Sequence, residues 1–208
     1  MPLSDALMPA SNRLTIADIW SDHISKNIFT FLFNLPKYFL KNIICFVKIG
    51  VLSDTHIPTR ADRLPEVIFQ LFKGVDLILH AGDIEDIGVI FELEEIAPVK
   101  AVIGNMDPYE LQEHFPAKRI VKAGGINIGL IHGWGDPKGL PKRVLEAFSG
   151  ENVQCIVFGH SHQPFNEEVQ GILLFNPGSP TDRIFAPYNS VGILHITQNQ
   201  IKGEIIRI

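Results

Sequence analysis

From residue 48 onward, short apolar runs alternate with segments of helical periodicity, and few folds accommodate this alternation. Apolar runs of about four to eight residues predict buried strands, and apolar residues recurring at helical spacing predict amphipathic helices. A chain that alternates strands with helices is typical of a parallel α/β sheet. Because only short strand-like runs follow the fifth predicted strand, we predict an α/β fold whose second half is β-rich and largely antiparallel.

The predicted elements are placed by their apolar residues and by the glycine and proline residues between them. The five strands of the alternating part are predicted at 48–53, 75–79, 99–103, 126–131 and 153–158. Helices are predicted at 64–72, 87–96 and 140–148. The later strand-like runs lie at 172–175, 191–196 and 201–208.

An aspartate, asparagine or histidine follows every one of these five strands, usually beside a glycine. Ligands of open α/β sheets bind beyond the carboxyl ends of the strands, and glycine lets the backbone approach a ligand closely. One such residue alone would be an ordinary turn, cap or core residue. Polar residues at five successive strand ends, one of them in a Gly-His-x-His sequence, indicate a site instead. The candidate residues are Asp54, His56, Asp83, Asn105, His132, His160 and His162.

The chemistry of these seven side chains favours two metal ions over one. Two carboxylates, four imidazoles and one amide oxygen are more ligands than a single ion uses, whereas two ions that share a carboxylate can use them all. Imidazole-rich sets favour zinc, iron, nickel or manganese-type ions over magnesium or calcium, which prefer oxygen ligands. Two dications and two carboxylates leave a local positive charge in a chain whose formal net charge is −5, and this suits a phosphodiester monoanion.

The order Asp-x-His, Gly-Asp, Gly-Asn, His and Gly-His-x-His resembles the calcineurin-like metallophosphoesterases. The small single-domain bacterial and archaeal phosphodiesterases are the most similar in pattern. The resemblance covers residues 48–208 and includes a late Asn-Pro-Gly-Ser turn at 176–179. It implies a four-layer α/β/β/α sandwich. It also implies a phosphodiesterase in which two divalent metals (manganese, nickel, iron or zinc) activate a bridging water and clamp the phosphoryl oxygens.

The resemblance also assigns a role to each candidate ligand. It implies that the first metal is held by Asp54, His56 and His162. It implies that the second is held by Asn105, His132 and His160, and that Asp83 bridges the two metals.

Two residues depart from the family pattern: Met106 follows Asn105 where larger members read Gly-Asn-His, and Trp134 stands where relatives commonly have the second histidine of His-Gly-His. A thioether cannot donate a proton to a leaving group, so Asp107 becomes the competing candidate for that role. Further polar residues lie near the motifs without belonging to them. His80 is a candidate supporting residue, and Arg60, Lys138 and Arg183 are candidates for holding a substrate oxygen.

Two other functions remain open at the level of the sequence. A phosphomonoesterase would need an additional cation near the metals to bind a dianion, and the sequence identifies none with certainty. A non-catalytic scaffold is the other alternative, because the retromer subunit Vps29 resembles this fold and serves chiefly as a protein-interaction platform. Scaffolds can lose metal ligands without penalty, whereas all seven are present here, which favours an enzyme.

Residues 1–47 lie outside the resemblance, and we interpret them as an N-terminal extension of unknown role that precedes a domain at 48–208. The apolar segment 28–47 is interrupted by Pro36, Lys37 and Lys41. A lysine near the centre of a bilayer costs roughly 3 kcal/mol, so we expect no transmembrane segment.

Charge and cysteine content limit the partners and the compartment. The net negative charge predicts no stable nucleic-acid partner, and the motifs predict a small phosphodiester substrate. Cys45 and Cys155 are too few for a disulfide framework, which suits a reducing compartment. We therefore expect a cytoplasmic protein, with homo-oligomerisation left open.

Overall fold

The computed structural model describes residues 46–208, so the predicted N-terminal extension lies outside the described residues except for its last two positions. The first strand begins at Phe46, two residues before its predicted start. The elements in chain order are β1 (Phe46–Leu52), α1 (Val67–Leu71), β2 (Leu77–His80), α2 (Ile87–Glu94), β3 (Val99–Ala101), α3 (Tyr109–Gln112), β4 (Lys118–Ala123), β5 (Ile126–Ile131), α4 (Leu140–Ala147), β6 (Cys155–Val157), β7 (Phe165–Val169), β8 (Ile172–Asn176), β9 (Ser190–Thr197) and β10 (Gln200–Arg207).

The strands form two mixed five-stranded sheets. The first sheet has the order β10-β9-β1-β2-β3, in which β1, β2 and β3 are parallel and β9 pairs with β1 in the antiparallel direction. The second sheet has the order β4-β5-β6-β8-β7, in which β5, β6 and β8 are parallel. The centre of the second sheet is therefore parallel, and the antiparallel pairing predicted for the second half of the chain is confined to β4, β7, β9 and β10.

Three clusters of buried apolar residues pack between the two sheets and between the sheets and the helices. One lies between the sheets and includes Val51 from the first sheet and Val157 from the second. The helices α1 and α2 cover the outer face of the first sheet, where Phe72 packs in the same cluster as Ile78. The helix α4 covers the outer face of the second sheet through Val144. These layers confirm the α/β/β/α sandwich. None of the helices within residues 46–208 has the length and apolarity needed to cross a bilayer.

Within residues 46–208, the elements missing from the prediction are two polar edge strands and one short helix. The strand β4 has a single buried residue, Val121, and carries charged residues at its other positions or beside them. The strand β7 contains two consecutive glutamates and no buried residue. Edge strands are commonly charged because one side of each faces solvent, so a search for apolar runs does not find them. The central strand β5 was predicted with its observed bounds.

Candidate metal centre

The carboxyl ends of the parallel strands in both sheets meet at one place. The loops after β1 and β2 are joined by the N–H of Asp54, which donates to the carbonyl of Gly82 at 3.0 Å, and by the N–H of His56, which donates to the carbonyl of Asp83 at 3.0 Å. In the second sheet the N–H of Gly159, after β6, donates to the carbonyl of His132, after β5, at 3.0 Å. The topology therefore gathers the predicted polar residues from distant parts of the chain.

Several candidate ligands adopt a backbone conformation that residues other than glycine rarely adopt. A positive φ costs of order 1–3 kcal/mol for such residues and is concentrated at functional sites. The candidates with positive φ are Asp54 at 54°, His56 at 44°, Asp83 at 55°, His160 at 68° and His162 at 57°. The surrounding hydrogen bonds hold these residues in strained turns, and the turns determine the direction of their side chains.

Two motif glycines are needed because the aspartates approach the backbone closely. A Cβ atom on Gly104 would lie 2.1 Å from Oδ1 of Asp83, and one on Gly159 would lie 2.7 Å from Oδ2 of Asp54. Cβ atoms in proteins essentially never lie within 3.0 Å of another non-bonded heavy atom. Any larger residue at either position would displace a candidate metal ligand.

Four of the predicted ligands form a compact buried cluster: Asp54, His56, Asp83 and His162, each offering a ligand atom within 4.8 Å of the others. Nε2 of His162 lies 3.4 Å from Oδ1 of Asp54, and Nε2 of His56 lies 3.5 Å from Oδ2 of Asp83. These are the three ligands predicted for the first metal together with the predicted bridging carboxylate. The side chains are positioned to hold at least one ion.

The orientation of two histidines in this cluster calls for a cation. Nδ1 of His56 lies 2.6 Å from the carboxylate of Glu85, and Nδ1 of His162 contacts the carboxylate of Asp182. Because carboxylates accept hydrogen bonds, each Nδ1 carries the proton and each Nε2 presents a lone pair. The two Nε2 atoms face each other at 3.2 Å. Two lone pairs at this distance repel unless a proton or a metal ion lies between the rings and the aspartates.

Two buried polar atoms at the centre have no hydrogen-bond partner among the described residues: Oδ2 of Asp54 and Nε2 of His132. Nδ1 of His132 donates to the carbonyl of Ala81 at 2.8 Å, so its Nε2 is the nitrogen turned toward the aspartates. It lies 3.2 Å from Oδ2 of Asp83, an ion-pair contact without hydrogen-bond geometry. A buried polar group left without a partner costs about 1–3 kcal/mol. Metal coordination would satisfy both atoms, so the residues present fit a metal centre.

The electrostatics of the metal-free chain lead to the same conclusion. Burial by itself lowers the pKa of His132, but its contact with Asp83 and the charge of Asp54 outweigh burial and raise this pKa to about 9. Burial raises the pKa of Asp83, but His132 and the N–H of Met106 more than offset this and hold it below its ordinary value. The two carboxylates thus attract a proton onto the nearest imidazole, and a metal ion must displace that proton when it binds.

The second predicted ligand set is only partly gathered. His132 contacts the bridging candidate Asp83, as described above. Asn105 and His160 instead bind each other at the rim, with Oδ1 of Asn105 3.0 Å from Nδ1 of His160. Nε2 of His160 lies 2.7 Å from the carbonyl oxygen of Gly135. Since both ring nitrogens of His160 contact oxygen atoms, this side chain must give up one contact to bind an ion.

His80 supports the centre without facing the cleft. It is fully buried at the end of β2, and burial followed by the nearby His132 lowers its pKa to about 3. Its Nδ1 accepts the N–H of Gly82 at 3.2 Å, so the proton lies on Nε2, which donates to the hydroxyl of Thr55 at 3.1 Å. A neutral His80 therefore ties the loop after β1 to the loop after β2.

Asp107 has a structural role that excludes it as the proton donor considered from the sequence. Its side chain is buried and does not line the cleft. Burial raises its pKa, while the backbone donors around it oppose this rise. Its two oxygens accept the N–H groups of Asp83 at 3.1 Å, Ile84 at 2.6 Å, Glu85 at 2.7 Å and Gly104 at 2.7 Å. Asp107 thus fastens the loop after β2 to the loop after β3.

Glu85 and Asp182 were missed by the sequence interpretation, although they orient His56 and His162. Burial raises the pKa of Asp182, but the N–H of Ile184 and the contact with His162 more than offset this and lower it. The available signals were positional, since Glu85 stands two residues after Asp83 and Asp182 stands three after the Asn-Pro-Gly-Ser turn at 176–179.

Asp182→Asn is expected to weaken metal binding by about 10–100-fold, because residues that orient metal-binding histidines typically contribute that much. The amide can keep one hydrogen bond to His162, but it loses the charge that makes Nε2 of His162 a better ligand. Calorimetric titration of the metal-free protein with Mn²⁺ or Zn²⁺ measures the change. Asp62→Asn, at an exposed position, is the matched control. Equal affinities in the two variants would contradict this role.

A cleft of about 360 Å³ opens onto the cluster. His56, Asp83, His160 and His162 contribute to its wall. Met106 lies on the same wall and is 54% exposed. A ligand in this cleft can therefore reach the buried aspartates and histidines from solvent.

Comparison with known proteins agrees with the geometry. The model of the calcineurin-like phosphoesterase superfamily domain matches residues 47–199. A probable metallophosphoesterase of Methanothermobacter thermautotrophicus is 42% identical over 160 residues, covering 76% of this chain and 91% of that protein. A phosphodiesterase of Methanocaldococcus jannaschii is 31% identical over 143 residues, covering 64% of this chain and 83% of that protein.

Solved structures share the fold. Zinc-complexed Vps29 of Entamoeba histolytica superposes with a TM-score of 0.59 at 24% identity, covering 77% of this chain and 99% of that one. This likeness concerns the fold alone. The matched family domain and the identity to both archaeal relatives go further: the chain belongs to the calcineurin-like phosphoesterase superfamily.

Proposed function

We propose that this protein is a metal-dependent phosphodiesterase that hydrolyses small phosphodiesters with two divalent transition-metal ions. The observation that carries the proposal is the convergence of the Nε2 atoms of His56, His132 and His162 on two buried carboxylates, with Oδ2 of Asp54 and Nε2 of His132 left without a hydrogen bond among the described residues. Similarity to an archaeal phosphodiesterase supports the diester as the substrate class.

In this proposal Asp54, His56 and His162 hold the first ion. Asn105, His132 and His160 hold the second, and Asp83 bridges the two ions. When bound, the ions would supply a nucleophilic water at neutral pH and neutralise charge on the phosphoryl oxygens. Manganese, nickel, iron and zinc are the candidates because imidazole ligands suit them.

The chain itself prepares both aspartates by anchoring one oxygen of each. Oδ1 of Asp54 accepts the N–H of His160 at 3.0 Å, and Oδ1 of Asp83 accepts the N–H of Met106 at 2.8 Å. Each Oδ2 is then left for coordination. Because the carboxylates are fixed before a substrate arrives, little reorganisation is needed during reaction.

Chelation followed by reconstitution tests the proposal. Removing metal should abolish turnover of bis(p-nitrophenyl) phosphate, and adding Mn²⁺ or Ni²⁺ should restore it. Asp62→Asn should behave like the wild type, which controls for unspecific effects of substitution.

The scaffold alternative is distinguished by turnover and not by metal binding. Since a Vps29 structure is a zinc complex, a chain of this fold can bind metal whatever its function. Full metal occupancy without turnover of any diester would favour the scaffold and contradict the enzyme.

A further inference from the structure

Arg60 is a cation on the cleft wall that the proposed metal ligands do not use. Of the described residues that line the cleft, it is the only lysine or arginine. Its backbone is held close to the centre because its N–H donates to the carbonyl of His56 at 2.6 Å. Its side chain is 26% exposed, so its guanidinium can meet a ligand that enters the cleft.

Two neighbours orient the guanidinium of Arg60. Its Cζ lies 5.5 Å from the centroid of the Phe185 ring, and this ring stands edge-on to the ring of His162 with 5.9 Å between centroids. Its Nε lies 3.9 Å from Oδ1 of Asp182, which is too long for a hydrogen bond. The guanidinium thus lies against a ring that also contacts a candidate metal ligand, while its N–H donors stay available.

Backbone N–H groups and His162 stabilise the carboxylate of Asp182 without a hydrogen bond from Arg60. Asp182 accepts the N–H groups of Phe185 at 3.0 Å and Ala186 at 3.2 Å, and it contacts Nδ1 of His162. A carboxylate with several N–H donors is stabilised without a further cation. Arg60 keeps only a long ion pair with Asp182, and its N–H donors, which make no hydrogen bond among the described residues, remain to act on a ligand in the cleft.

We propose that Arg60 binds a second anionic group of the substrate, so that the preferred phosphodiesters carry a phosphate group besides the diester that reacts. This inference rests on the proposed diesterase function and adds the substrate class. A guanidinium binds phosphate through two parallel N–H donors, a geometry that lysine cannot reproduce. Arg60 would determine which diesters are preferred, and it would take no part in the hydrolysis of the reacting diester.

A matched pair of substrates tests this directly. Both are thymidine 5′-(p-nitrophenyl phosphate), and one carries a 3′-phosphate that the other lacks. Leaving group, sugar and base are the same, so the ratio of their kcat/KM values isolates the contribution of the additional phosphate. The variants are Arg60→Gln, Arg60→Lys and the control Arg63→Gln, whose side chain is 77% exposed.

The wild type should prefer the 3′-phosphorylated substrate, and Arg60→Gln should reduce that preference by about tenfold or more, mainly through KM. Arg60→Lys should give an intermediate ratio, and Arg63→Gln should keep the wild-type ratio. A purely structural role for Arg60 would lower metal content and slow both substrates equally, which would overturn the inference.

If Arg60→Gln fails to fold, the comparison of the two substrates on the wild type is still a test of the inference. Equal kcat/KM for the two substrates would overturn the inference while leaving the diesterase function intact. No turnover of either substrate by metal-loaded wild type would instead contradict the proposed function itself.

Discussion

Replacing Asp83 by asparagine is expected to lower kcat/KM for bis(p-nitrophenyl) phosphate by more than about 10³-fold. Removing one preorganised electrostatic group from an active site commonly costs about 10²–10³-fold, and Asp83 serves both proposed ions. Its Oδ2 lies 3.2 Å from Nε2 of His132 and 3.5 Å from Nε2 of His56, so it contacts one imidazole from each ligand set. The amide has no negative charge with which to hold two cations.

The comparison that isolates bridging uses His56→Ala and Asn105→Ala beside Asp83→Asn. Each of the first two removes a ligand of one ion, whereas the third disturbs both. Metal content by elemental analysis and initial rates should therefore fall furthest in Asp83→Asn. Equal metal losses in the three variants would argue against a bridging role.

Turnover is also expected to depend steeply on the pKa of the leaving group. Met106 follows Asn105 at the position where the family resemblance leads us to expect a histidine, and its thioether cannot donate a proton. Asp107 cannot replace it, because the oxygens of Asp107 accept backbone N–H groups away from the cleft. General acid assistance is typically worth about 10²–10⁴-fold, so alkyl diesters should react more slowly than activated aryl diesters by an additional factor of this size.

A series of aryl and alkyl diesters of graded leaving-group pKa measures this dependence. Met106→His should flatten the slope if its imidazole reaches the leaving oxygen, since Met106 lines the cleft. Met106→Leu is the control, because leucine has similar volume and also no proton to donate. A shallow slope in the wild type, unchanged in Met106→His, would show that leaving groups are protonated in another way.

The sequence was most informative where polar residues directly follow apolar strands. Asp54, His56, Asp83 and His162 were predicted from their positions after strands, and the structure gathers them within 4.8 Å. The strand β5 is mostly buried, so its apolar run in the sequence begins and ends where the strand does.

The supporting contacts could not be predicted, because they depend on how loops fold back. Asp182 reaches His162 across 20 residues of chain, and Asp107 reaches the loop of Asp83 across 24. Their positions near the motifs made these aspartates noticeable, but did not show which histidine or which loop each one contacts. Arg60 was a candidate for holding a substrate oxygen, but its place on the cleft wall depends on the turn that follows His56.

Metal titration of the metal-free protein, with bound ions and diester turnover measured on the same samples, decides whether the chain is a two-metal diesterase. The chain should bind two divalent ions, and turnover of bis(p-nitrophenyl) phosphate should rise as the second site fills. The claim would be contradicted by full turnover in protein shown by elemental analysis to contain no metal.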